Sequence, residues 1–273
     1  MRDRATRGAS RRALLLHGAG AWGGQWTIWR RVLEAEGWQV DTPDLQPAAS
    51  GIAATTLADY RAQVRAYAST QPDAFLLIGA SLGGLLAVAC AHEALRDGDD
   101  AASTARGAMP RPGALVLVNP LPPAPFAAAL PADASDAPAD AGDSPSTAAY
   151  APRIRPWHSQ ARFDSTRRAL STSSFADQQI AFRHWRDESA MALREARAGL
   201  ALPSLERVLA ALPTLVIASD DDADVPTALS ARFAASTGAS LLRVPGTHVD
   251  PVMGASAAAA ARAALAWFDG IRG

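Results

Sequence analysis

The sequence predicts an α/β protein: a three-layer α/β/α sandwich with a mainly parallel sheet of about six strands and an inserted helical cap. Three observations carry that expectation. Short, continuous apolar runs alternate with longer stretches of helical periodicity at both ends of the chain. Such runs mark strands covered on both faces, as in a parallel sheet flanked by helices. The alternation stops over residues 121–210 and then resumes, which places an insertion between strands. Finally, the apolar run Phe75–Ile78 passes through Gly79-Ala-Ser-Leu-Gly83 straight into a second apolar run, so a strand turns sharply into a helix.

In order, Arg12–His17 forms the first short strand, ending at Gly18-Ala-Gly-Ala-Trp-Gly-Gly24. Four glycines in those seven residues require a loop of unusual backbone geometry. Its spacing is neither the G-x-G-x-x-G of a dinucleotide site nor a phosphate-binding loop, because no G-K-[S/T] follows. A helix over 25–36 leads to a short strand at Trp38–Val40. Leu57, Tyr60, Val64 and Tyr67 recur at three- and four-residue spacing and predict a helix over 57–70, closed by Pro72. After the Phe75–Ile78 strand a helix runs to about Leu95. A small, charged linker over 97–111 precedes the strand Ala114–Val118.

The insertion opens with Pro, Ala, Asp and Ser, and 131–150 reads as a flexible loop. Short helices follow near 159–170 and 175–195; Trp185-Arg-Asp-Glu-Ser189 reads first as a salt-bridged helix surface, with Arg186 or Glu188 near substrate as the alternative. Strands at Leu212–Ala218 and Ser240–Val244 flank a helix near 227–236, and the chain closes with a helix near 255–271. Residues 11–120 and 211–273 thus form the core, and 121–210 the cap. Ligands in such sheets bind outside the carboxyl ends of the strands.

Composition narrows the function classes. The chain has 273 residues and a formal net charge of -1, so no overall attraction to nucleic acid or an anionic membrane is expected. Its one cysteine, Cys90, sits in an apolar helical run and reads as a buried small side chain. His17, His92, His158, His184 and His248 are scattered without metal-ligand spacing, so no metal is expected; no cofactor is expected either. The start of the chain lacks a signal-peptide pattern and no run approaches a membrane span, which predicts a cytoplasmic protein without membrane insertion.

Ser81, at the strand–helix junction between Gly79 and Gly83, is the candidate nucleophile. G-x-S-x-G is weak as a bare pattern and gains its meaning from this strand–turn–helix context. Small residues on either side let neighbouring backbone approach, and the following helix N-terminus favours developing negative charge. A serine hydroxyl needs a base, and the base an orienting acid. The later strand ends supply both types: Ser219-Asp-Asp-Asp-Ala-Asp-Val-Pro226 after one strand, and Pro245-Gly-Thr-His248 after the next. Asp220, Asp221, Asp222 and Asp224 are all candidates for the acid.

These residues resemble the α/β-hydrolase fold superfamily, serine esterase-like members in particular. His17-Gly18 is similar to the family's oxyanion loop, Gly79-Ala-Ser-Leu-Gly83 to its nucleophile elbow, Asp222-Ala-Asp-Val-Pro226 to its acid loop and Gly246-Thr-His248 to its histidine loop. The likeness spans about 11–120 and 210–270; two strands that often precede the oxyanion-loop strand are missing. It implies a Ser81–Asp222–His248 triad, with Asp222 chosen by register with Val225-Pro226. It implies an oxyanion hole from the backbone N–H groups of Leu82 and Ala19. His17 is then expected to orient the oxyanion loop and not to serve as a second base. Trp22, Trp157 and Trp185 are the candidate pocket residues.

The expected activity is hydrolysis of a small or medium-sized carboxylic ester through an acyl-enzyme, with a small molecule as the partner. Lactone or amide hydrolysis, carbon–carbon bond hydrolysis and hydroxynitrile lyase-like chemistry use the same fold and residues. A non-catalytic ligand-binding receptor on this fold is the reading from a different class. Dehalogenase and epoxide-hydrolase chemistry is disfavoured, because relatives of those kinds carry aspartate where this chain has Ser81.

Overall fold

The computed structural model describes residues 11–97, 109–132 and 153–271. Most of the stretch expected to be flexible, 131–150, lies outside the described residues. Six strands form one sheet: β1 (Arg12–Leu16), β2 (Gln39–Asp41), β3 (Phe75–Ala80), β4 (Pro112–Val118), β7 (Thr214–Ser219) and β8 (Ser240–Val244). A two-stranded antiparallel ladder of β5 (Ile154–Arg155) and β6 (Glu188–Ser189) stands apart. The main sheet has the order β2-β1-β3-β4-β7-β8 and every pairing in it is parallel.

Each central strand is buried on both faces, which explains its unbroken apolar sequence. Leu14, Leu16, Phe75 and Leu77 face one layer, while Ala13, Leu15, Leu76 and Ile78 face the other. The second face is covered by α1 (Thr27–Ala35) and α10 (Ala257–Gly270), through Trp29, Leu33, Ala264 and Phe268. The first is covered by α2 (Leu57–Ala68), α3 (Leu82–Asp97) and α8 (Thr227–Thr237), through Tyr60, Val64, Leu85, Val88 and Phe233. Thr56 starts α2 with a reciprocal cap: its hydroxyl accepts from Asp59 N, and the Asp59 carboxylate accepts from Thr56 N. Such a cap contributes roughly 1 kcal/mol. Cys90, on α3, is buried, and burial pushes its thiol up to about 12.

Strand order places the site. The chain leaves β1 for β2 on one side and then returns to β3 on the other, so the order in which strands are added reverses between β1 and β3. Loops diverge at such a point and leave a crevice at the carboxyl ends. The loop after β1 carries Gly18–Gly20, and the turn after β3 carries Ser81.

Between β4 and β7 the described chain carries α4 (Phe163–Ala169), α5 (Phe175–His184), α6 (Ala190–Ala198) and α7 (Leu205–Ala210). The helices α6 and α7 pack on the core helices α2, α3 and α8. The single helix expected over 175–195 is broken at Trp185–Asp187. Pairing of Glu188–Ser189 with Ile154–Arg155 takes the chain out of helical geometry. Ser189 then caps α6 by accepting a hydrogen bond from Ala192 N. The charged helix surface expected at 185–189 is therefore absent: Glu188 and Ser189 are buried. Among the described residues no helix is long and apolar enough to cross a membrane.

Candidate active site

Ser81 joins β3 to α3 with φ +52°, a left-handed conformation that costs a non-glycine residue of order 1 kcal/mol or more. The turn is held on both sides. Ser81 N donates to Val118 O at 3.0 Å, and Ser81 O accepts from Leu121 N at 3.0 Å and Gly84 N at 2.9 Å. The flanking glycines are required by contact: a Cβ on Gly79 would meet Gly83 O at 2.2 Å, and one on Gly83 would meet Leu16 O at 2.3 Å. The elbow is thus wedged against the end of β1. Leu82 is the first residue of α3, so its N–H has no intrahelical acceptor.

Across the crevice, Gly18 approaches Ser81 so closely that an added Cβ would lie 3.3 Å from Ser81 Cβ. A turn follows, closed by Ala21 N donating to Gly18 O at 3.3 Å, with Gly20 at φ +65°. Ala19 occupies the turn and lines the same cavity as Ser81. His17 sits beneath. Its Nδ1–H donates to Gly18 O at 2.8 Å and its Nε2 accepts from Leu45 N at 2.9 Å. The amide donor at Nε2 fixes the neutral tautomer, and burial depresses the pKa to about 4. Both ring nitrogens are occupied, which leaves His17 a loop anchor.

His248 and Asp222 meet at the ends of β8 and β7. His248 Nδ1 donates to Asp222 Oδ2 at 2.7 Å, and Asp222 Oδ1 accepts from Asp224 N at 2.9 Å and Val225 N at 2.8 Å. The Asp222 side chain is fully buried, whereas that of His248 keeps 15 % exposure toward the cavity. Burial pulls the imidazole pKa down, but the adjoining Asp222 carboxylate outweighs it and the net shift is upward. Arg197 pulls the other way. Ser81 and His248 line one cavity, without a direct hydrogen bond between them. Such contacts often tighten only when substrate is bound.

The four loop aspartates, equivalent in sequence, separate by position. Asp220 pairs with Arg243 at the surface, and Asp221 is exposed. Asp224 lines the cavity with an exposed carboxylate. Only Asp222 carries both the imidazole and backbone amides. Asp222, Asp224 and His248 offer ligand-type atoms within 4.8 Å of one another, but both Asp222 oxygens are already engaged as hydrogen-bond acceptors.

The cavity measures about 520 Å³. Its roof comes from the insertion: Trp157, Ala161, Trp185 and Leu193, with Arg162 and Arg197 beside them. Trp22 does not line it; the ring lies behind, stacked on His184 at 5.0 Å and edge-on to Trp185 at 6.1 Å. Trp22 therefore supports a wall residue instead of forming the wall.

Two supporting residues escaped the sequence reading. Asn119, at φ +43° after β4, donates through Nδ2 to His248 O and Ser219 Oγ, both at 2.8 Å. Its Oδ1 accepts from Ser219 N, so one amide ties three strand ends. Asp250 is fully buried and accepts from Thr247 N at 2.7 Å and Thr172 Oγ1 at 2.9 Å, anchoring the histidine loop to the insertion. An Asn or Asp just beyond a strand end is common in ordinary turns, so neither gave a distinctive signal.

The family model described as the alpha/beta hydrolase family matches residues 13–263. The chain belongs to the alpha/beta hydrolase family. Solved structures of the same fold include an extracellular alpha/beta-hydrolase from a Paenibacillus species, 18% identical with a TM-score of 0.65, covering 92% of this chain and 96% of that one. A pyrethroid hydrolase from Sphingobium faniae is 18% identical with a TM-score of 0.64, over 96% of this chain and 98% of that one. Polyneuridine aldehyde esterase is 16% identical with a TM-score of 0.64, over 96% and 99%. Curated proteins give no match at the sequence level. Likeness at these identities extends to the fold.

Proposed function

We propose that the protein hydrolyses a carboxylic ester of a small or medium-sized molecule through an acyl-enzyme on Ser81. The observation that carries the reading is the buried Asp222–His248 pair, whose free imidazole edge faces the same cavity as a strained serine. Asp222 accepts from Nδ1, which leaves Nε2 to take the Ser81 proton as Ser81 Oγ attacks the ester carbonyl. The N–H groups of Leu82 and Ala19 receive the carbonyl oxygen as it becomes an anion. Collapse of the tetrahedral species breaks the bond to the leaving alkoxide, and His248 returns its proton there. Water, deprotonated by the same imidazole, then cleaves the acyl-enzyme. The resident groups supply every proton transfer in this sequence.

The cavity's size suits a small or medium-sized substrate, and Trp157, Trp185 and Leu193 suit an apolar acyl part. Solved structures of like fold, a pyrethroid hydrolase and an esterase, point the same way. Rapid-mixing kinetics with p-nitrophenyl butyrate tests the reading. A burst of nitrophenol approaching one equivalent per chain, absent in Ser81→Ala, is expected. Absence of turnover in the wild type, with ligand binding unchanged by Ser81→Ala, would replace the enzyme by a receptor.

A further inference from the structure

The segment expected to form a charged helix surface has become a clamp on the turn that carries Ala19. Arg186 N donates to Gly20 O at 2.7 Å, and Gly20 N donates to Glu188 Oε2 at 3.0 Å. Both backbone groups of one glycine are thus held by alternate residues of the insertion. Glu188 is 5 % exposed. Its other oxygen, Oε1, accepts from Tyr60 Oη at 2.6 Å and from Ser189 N at 2.7 Å. Three donors converge on a side chain that, as a carboxylate, offers acceptors alone. The indole of Trp157 closes over the same point: a Cβ on Gly20 would strike it at 2.3 Å.

We propose that Glu188 is a positioning residue for the oxyanion hole, holding the Gly18–Ala21 turn so that the Ala19 amide is aimed at the developing anion. The proposal rests on the hydrolase reading above. Three features favour a catalytic purpose over simple attachment of the cap. A buried carboxylate is costly unless fully hydrogen-bonded, and an apolar contact would attach a cap at lower cost. The cap already has other anchors on the core: Ser189 Oγ donates to Thr55 O at 2.5 Å, and Glu195 accepts from Leu57 N at 2.8 Å. Moreover, the bond lands on the residue next to Ala19, in the turn whose other side His17 fixes through Gly18 O. The turn is gripped from below by the core and from above by the insertion.

The distribution of donors makes Glu188→Gln a selective probe. A glutamine has one oxygen and one NH2 group. Two donors, Tyr60 Oη and Ser189 N, claim the side that Oε1 occupies, so the amide oxygen settles there. The NH2 group is left facing Gly20 N–H, donor against donor, and this bond alone is lost. Tyr60→Phe does the reverse: it removes one donor from Oε1 and leaves the Gly20 bond in place.

The experiment measures kcat and KM on p-nitrophenyl butyrate, affinity for an alkyl boronic acid as a tetrahedral mimic, and hydrogen exchange at the Gly20 amide. Wild type, Glu188→Gln and Tyr60→Phe are compared. Loss of one oxyanion donor costs 10²–10³ in kcat, and a misaimed donor should cost roughly ten- to a hundredfold. In Glu188→Gln we expect kcat and boronate affinity to fall together by that factor, KM to stay within twofold, and Gly20 exchange to accelerate at least tenfold. Tyr60→Phe should keep kcat within about threefold. Glu188→Gln that speeds Gly20 exchange while leaving kcat and boronate affinity within twofold would reduce the clamp to a structural tie and overturn the proposal. Unchanged Gly20 exchange would overturn it too. Failure of the hydrolase reading shows separately, as a wild type that neither turns over ester nor reacts with a fluorophosphonate; without an oxyanion hole to serve, the positioning role falls with it.

Discussion

Replacing Asp222 by asparagine should abolish most activity without disturbing the fold, for a reason that lies in three hydrogen bonds. Asp222 Oδ1 accepts two backbone amides, from Asp224 and Val225. Asparagine keeps its carbonyl oxygen there, because both partners are donors. Its NH2 group must then occupy the Oδ2 position, 2.7 Å from His248 Nδ1. That nitrogen can no longer donate, so it accepts, and the proton moves to Nε2. The edge facing Ser81 then carries a hydrogen and cannot act as a base. The same tautomer reversal in a serine-protease triad lowers kcat by about 10⁴. At 1.36 kcal/mol per decade, this is about 5 kcal/mol of transition-state stabilisation. Steady-state hydrolysis of p-nitrophenyl butyrate at pH 7.5 measures it, with urea unfolding as the control for the fold. Activity within tenfold of wild type in Asp222→Asn, or a collapse in Asp224→Asn instead, would refute the reasoning.

Other expectations follow from the same geometry. His248 has a pKa raised above its ordinary value of 6.5, so kcat/KM should fall as pH drops through that raised value, where the base becomes protonated. For stability the sign is opposite: protonated His248 stabilises the fold below its ordinary pKa, and this contribution fades as pH rises through the raised one. Arg197→Gln removes a cation that opposes imidazole protonation, so the acidic limb of the kcat/KM profile should move to higher pH. Gly83→Ala drives a methyl to 2.3 Å from Leu16 O, and should cost at least about 2 kcal/mol of stability in urea unfolding. Trp157→Ala strips an apolar ring from the roof, and should raise KM for a butyrate or longer ester about tenfold, consistent with roughly 1.4 kcal/mol of lost apolar contact; an unchanged KM would mean that the acyl chain binds elsewhere.

The core was legible because burial on both faces leaves a plain mark: Leu14-Leu15-Leu16 and Leu215-Val216-Ile217 are short, unbroken apolar runs between helical stretches, the pattern of strands in a covered sheet. The sharp turn at Ser81 was legible because close approach writes itself as glycine on both sides of the elbow. The carboxylate that meets His248 was legible only as a group. Asp220, Asp221, Asp222 and Asp224 share composition and differ in which way the loop turns each carboxylate, a property of the surrounding packing. The insertion resisted for another reason. Residues 175–195 have helical periodicity throughout, yet pairing with Ile154–Arg155, distant in sequence, breaks the helix at Trp185. That pairing buries Glu188, for which the sequence left a helix surface and a place near substrate both open. Trp22 was misplaced by the same long-range effect, since its ring packs on His184 and Trp185 of the insertion and of these three only Trp185 lines the cavity.

The proposed mechanism requires Ser81 to become covalently acylated. Acid quenching within the first turnover on p-nitrophenyl butyrate, followed by mass spectrometry, measures this directly. A butyryl increment on the peptide containing Ser81, abolished in Ser81→Ala and slow to form in Asp222→Asn, is the predicted result. Ester turnover with no increment at Ser81, or an increment on another residue, would contradict it.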